Sequence, residues 1–173
     1  MANIFSVGCS WGDRERRIKE FLETDPSIAL ILASATFELM FKRFILKLGK
    51  SNTDELKDKL EKTWSFNNEN KNLRKIWHEE IGQNYPNLSI KDVLKDFSNV
   101  IEPSKKKGKL NPCDVRGYLV HGNGSVSADA AKKATNDYLF AARFLYLYAE
   151  TKGKNLDKRL VSRKDSKNIS SKK

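Results

Sequence analysis

Residues 27–48 read SIALILASATFELMFKRFILKL, apolar on nearly every side in the first half and amphipathic in the second. A helix that is hydrophobic all round has to be surrounded by other elements, so this stretch is expected to be the central helix of a bundle. Its limits are marked in the sequence. Asp25 supplies a capping carboxylate and Pro26 suits the first helical position, while Gly49 is a C-cap. The most apolar part, residues 28–41, is interrupted by Ser34, Thr36 and Glu38 and is too short to span a bilayer.

The flanking segments carry helical periodicity as well. Residues 13–23 form a charged amphipathic helix with Ile18, Phe21 and Leu22 as its stripe. Residues 51–54 cap a short helix over 55–64, and an Asn-rich loop over 66–72 leads to a helix over 73–81 that presents Leu73, Ile76 and Trp77. Tyr85-Pro86 breaks the chain. Ile90, Val93, Leu94, Phe97 and Ile101 follow helical spacing up to Pro103, and a loop through Asn111-Pro112 enters residues 113–121. A last long helix runs from Ser127 to about Lys152. There is no internal repeat and no alternating strand pattern. The expected fold is therefore all-α, a bundle of about five to seven helices.

Charge divides the chain unevenly. Of a formal +11, residues 152–173 hold nine Lys/Arg against two Asp, a net +7, which leaves +4 for residues 1–151. The expected division is a helical domain over 1–151 and a basic, partly disordered tail over 152–173, able to lie along a polyanion. A second basic run, Lys105, Lys106, Lys107 and Lys109, precedes residues 113–121. No basic n-region followed by an apolar h-region opens the chain, so no secretory signal is read. Cys9 and Cys113 stand far apart without a CxxC beside them, which argues for free thiols, a cytoplasmic location and no zinc site.

The chemistry concentrates in CDVRGYLVHGNG, residues 113–124. Arg116 and His121 are five positions apart, so on an ideal helix they are separated by about 140°. A second copy related by a two-fold axis is one arrangement that brings two such pairs together. The bland reading is a histidine favoured by the dipole at a helix C-terminus and an arginine with a packed stem. His78, beside Glu79 and Glu80, reads as a solvated histidine. Trp11, Trp64 and Trp77 read as packing residues. Tyr138, Phe140, Phe144, Tyr146 and Tyr148 read as core or interface.

An arginine, four intervening residues and a histidine followed by glycine, placed before the last long helix of a small bundle, resembles the HEPN superfamily. Many of its members are metal-independent RNases of toxin–antitoxin and defence systems. The matching residues are Arg116, His121 and Gly122, and the stretch ILASATFELMFKRFI resembles the family's long helix. The resemblance covers about residues 13–151. It implies a homodimer with a composite active site and Arg116 and His121 as catalytic residues, with Glu38 as the matching functional glutamate. It also implies an antitoxin or regulatory protein as partner.

Residue chemistry points the same way. Neutral imidazole accepts the proton of a ribose hydroxyl and imidazolium protonates a leaving alkoxide. Guanidinium holds a phosphate and its transition-state charge. With no carboxylate cluster suited to two metals, the 2'-hydroxyl is the expected nucleophile, and the substrate is RNA. Lys105, Lys106, Lys107, Lys109, Tyr118 and Asn123 are the expected RNA contacts, with neither metal nor cofactor. Gly117 stands where many catalytic members carry a polar residue, which favours the alternative of a non-catalytic scaffold that binds RNA or protein.

Overall fold

The computed structural model describes residues 10–51, 54–62, 75–93, 112–122 and 126–157, and every regular element among them is helical. In chain order these are α1 (Trp11–Thr24), α2 (Pro26–Leu48), α3 (Asp54–Lys62), a π-helical turn (His78–Gly82), α4 (Ile90–Val93), α5 (Pro112–His121) and α6 (Ala128–Thr151). The all-α bundle read from the sequence is thus the observed architecture.

The helix α1 starts at Trp11 rather than at Asp13 because Ser10 caps it. The Asp13 N–H donates to Ser10 Oγ at 3.2 Å, and the Ser10 hydroxyl donates to Asp13 Oδ2 at 2.7 Å. Its buried positions are Trp11, Arg14 and Ile18, with Phe21 and Leu22 half-buried beside them. Asp25 performs both expected tasks at the hairpin. Its N–H closes α1 on Phe21 O at 2.7 Å, and Oδ1 accepts from the N–H groups of Ser27 and Ile28 at 3.1 and 3.2 Å.

The central position of α2 follows from its buried set, which includes Ala29, Leu30, Ala33, Phe37, Met40, Phe41, Phe44 and Ile45. Complete burial of each phenylalanine contributes about 1.5–3 kcal/mol. The helices α2 and α6 run parallel, since Phe37 meets Tyr138 at 5.7 Å between ring centroids and Phe44 meets Tyr148 at 5.9 Å. The helix α1 runs against both, pairing Trp11 with Tyr146 at 6.0 Å and Glu23 with Lys132 at 3.3 Å. Trp77 stacks on Phe41 and Phe44, and its indole N–H reaches Leu88 O at 3.4 Å. Trp11 and Trp77 are packing residues, as expected, and His78 is exposed. Trp64 lies outside the described residues.

Gly49 ends α2 at a φ of −63°, so left-handed backbone is not the reason for a glycine there. A Cβ would collide with the Ile45 carbonyl oxygen and press on the Glu80 side chain. Glu80 takes up the chain as it leaves α2: Lys50 N–H donates to its carbonyl at 3.1 Å and Ser51 N–H to Oε2 at 2.8 Å.

The boundary expected at residue 152 is corrected. Leu156 is fully buried, and residues 155–157 cross the end of the bundle as a strap. The buried Arg43 donates through Nη1 to Leu156 O at 2.7 Å and to Asp157 O at 3.0 Å. Asp157 in turn accepts from Trp11 N–H at 2.8 Å and from the Tyr146 hydroxyl at 3.3 Å. One leucine and a pair of carbonyls suffice to dock a segment whose composition looks like a tail, so the fold extends at least to Asp157.

Candidate functional site

The ten-residue α5 presents the candidate residues. Pro112 occupies its first position, one residue earlier than the sequence reading, where a missing N–H costs nothing. Gly122 follows the last residue in the left-handed region, at φ +65°, the conformation glycine adopts just beyond a helix. Pro112 and Val115 are buried and Leu119 packs on the core, so α5 lies mainly on α6 with an edge on α2. Cys113 meets Tyr138 midway along α6, and the following loop returns to the start of α6 at Ser127, so α5 runs antiparallel to α6.

Arg116 is half-buried, and its Nε is enclosed with no hydrogen-bond partner among the described residues. Beside it the Tyr138 hydroxyl donates to Cys113 Sγ at 3.4 Å. Burial pushes the Cys113 thiol up to about 11, and the Tyr138 bond, Asp114, Arg116 and Glu38 act on it with smaller effect. Burial likewise raises the Tyr138 hydroxyl, with Cys113 adding to the rise. On both groups Arg116 lowers the pKa and Glu38 raises it. Arg116 and Glu38 thus act with opposite sign on one neutral thiol–phenol pair. The structure brings Cys113 and Tyr138 into contact, with Arg116 one turn along α5 from Cys113.

His121 is not brought to this cluster. It is the exposed last residue of α5, about 140° around the helix from Arg116. Tyr118 is half-buried, about 200° from Arg116 and so on the opposite flank. A Cβ placed on Gly117 would meet nothing within 4 Å. Lys105, Lys106, Lys107, Lys109 and Asn123 lie outside the described residues. No ion pair of Glu38 is seen among the described residues, and Arg43, further along α2, serves the strap.

Exposed apolar side chains lie on both α5 and α2. Val120, 45% exposed, follows Arg116 by one turn, and Ile31 and Ile28, 42% and 40% exposed, precede Glu38 by about two and three turns. Because α5 and α2 run in opposite directions, these residues lie toward the same end of the bundle. A depression of about 550 Å³ elsewhere, lined by Gly12, Glu15, Arg16, Lys19, Glu20 and Arg143, has its charges paired with one another. Among the described residues no His/Cys/Asp/Glu group is arranged to hold a metal ion, and no helix is long and apolar enough to cross a membrane.

Cys113 and Tyr138 are the site residues that sequence reasoning missed. The i, i+3 spacing of Cys113 and Arg116 signals a shared helix flank, whereas nothing local in the sequence marks Tyr138 as their neighbour. No family model, curated protein or solved structure matches the chain.

Proposed function

We propose that the chain is a HEPN-type, metal-independent endoribonuclease that acts as a two-fold dimer, a toxin or defence effector. One observation carries the reading. A single short helix holds a guanidinium whose enclosed Nε has no hydrogen-bond partner among the described residues, and ends in an exposed imidazole. These are an anion receptor and a proton carrier on one rigid element.

Within a protomer the two groups diverge, so the site is completed by a second copy. The exposed Val120, Ile28 and Ile31 supply an apolar surface for that contact. Across the cleft, imidazole takes the proton of a ribose 2'-hydroxyl and the oxygen attacks the adjacent phosphorus. The 5'-oxygen leaves with a proton from imidazolium, giving a 2',3'-cyclic phosphate and a free 5'-hydroxyl. Arg116 holds the charge of the phosphorane. Glu38, on α2, is the third member of the proposed site.

The test is incubation of the purified protein with mixed RNA in EDTA, beside Arg116→Ala and His121→Ala. Cleavage by the wild type alone, with cyclic phosphate ends, is the expected result. The divergence of Arg116 and His121 within one protomer favours a second reading, a non-catalytic scaffold that binds RNA or a partner protein. RNA binding without cleavage in all three proteins is its signature and refutes the enzyme.

A further inference from the structure

The outward face of α5 carries a pattern of charge that is complementary to itself. Asp114, Gly117 and His121 are spaced i, i+3, i+7. On an ideal helix they fall within about 60° of one another, and Val120 lies about 60° to the other side of Gly117. Pro112, Val115 and Leu119, which pack on the core, lie about 140–160° from Gly117. Val120 and His121 are exposed, and Asp114 and Gly117 are half-buried. A Cβ on Gly117 meets nothing within 4 Å, so no described residue covers the middle of this face.

Asp114 stands in the first turn of α5 and His121 in the last, about 10.5 Å apart along the axis. Gly117 and Tyr118 mark the midpoint between them. A two-fold axis perpendicular to α5 at that midpoint lays the helix antiparallel on its copy. It exchanges the two ends, so each carboxylate meets the other copy's imidazole, twice, on the same flank. A two-fold axis parallel to α5 instead sets Asp114 against its own copy and His121 against its own copy. Glycine at the crossing lets the two backbones approach closely, which brings these short side chains within reach of each other.

We propose that α5 crosses its own copy antiparallel at Gly117, with Asp114 of each protomer accepting a hydrogen bond from His121 of the partner subunit. The carboxylate settles which ring nitrogen carries the proton and leaves the other for proton transfer, so Asp114 is a positioning residue for the imidazole. Asp114 also interacts within its own protomer, and its two carboxylate oxygens accept more than one donor. The proposal rests on the two-fold assembly of the proposed function, whose register it specifies, and needs no cleavage.

The experiment mixes two variants. Asp114→Lys sets an ammonium against the imidazole in both pairs of its own dimer, and His121→Asp sets carboxylate against carboxylate. In a dimer of one copy of each, the introduced ammonium meets the introduced carboxylate, and the other pair is the native one. Dissociation constants come from sedimentation, and circular dichroism at high dilution shows that each protomer is folded. Each variant alone is expected to bind itself about tenfold or more weakly than the wild type does, and the equimolar mixture to recover to within about threefold of it. A contact within one protomer is not restored by mixing. Gly117→Leu, at a position with open surroundings, is expected to abolish association in a folded protomer, and reads the crossing even where a charged variant does not fold. A wild type monomeric at every concentration, a mixture no tighter than its components, or a Gly117→Leu dimer as tight as the wild type overturns the proposal. Recovery on mixing in a protein that cleaves no RNA supports the crossing and refutes the nuclease reading alone. Cleavage of RNA by the wild type, with association indifferent to all three substitutions, refutes the crossing alone.

Discussion

Replacing Gly117 with alanine separates what one protomer requires from what its assembly requires. Gly117 lies inside α5 with a negative φ, and an added Cβ meets no atom within 4 Å. No clash and no backbone strain therefore oppose the change. The gain is the helix propensity difference between the two residues, about 0.8–1.0 kcal/mol in a helix interior. For a chain of this size that raises the melting temperature by about 2–4 °C. Thermal and urea melts at a dilution where the protein is monomeric provide the check. Under the two-fold arrangement proposed above, α5 faces its copy, so the same methyl group is expected to weaken self-association in sedimentation experiments. A protomer destabilised by the methyl group at high dilution would refute the reasoning, because the surroundings of Gly117 would then not be open.

Arg43→Ala removes two charge-assisted hydrogen bonds that hold Leu156 and Asp157, each worth about 1.5–3 kcal/mol, and leaves two carbonyls to find water. A loss of about 3 kcal/mol or more in urea denaturation is expected, with faster proteolysis around residues 155–157; a change below about 1 kcal/mol would show that the strap is not held this way. The Cys113 thiol, held near 11 against an ordinary 9.0, ionises in the unfolded chain before it does in the folded one. The contribution of this thiol to stability is therefore level below about pH 9 and falls as pH rises from 9 toward 11, and Cys113→Ala removes that part of the slope. Alkylation of folded protein at pH 8 is expected to be slow, and fast labelling would refute the burial of the thiol.

Much of the fold was legible in local sequence because its signals are local. The Asp25-Pro26 hinge, the Ser127 cap and the apolar content of residues 27–48 each act within a few residues, and each sits where it was expected. The strap was not legible. Its partners, Arg43, Trp11 and Tyr146, are scattered along the chain, and its apolar anchor among the described residues is Leu156. For the same reason nothing local marks Tyr138 as the neighbour of Cys113.

Sequence alone determined that this protein is helical, that one helix is central and that Arg116 and His121 stand five positions apart ahead of a glycine. Helical period, caps and charge are properties of contiguous residues, and they survive without any knowledge of neighbours. Tertiary structure decided which flank of α5 meets its neighbours, and so set Cys113 against Tyr138 and enclosed Arg116 Nε while leaving His121 at the solvent-exposed end. It also decided that the chain stays docked to Asp157. Those outcomes depend on which surfaces of distant helices fill one another, and packing of that kind has no period to read.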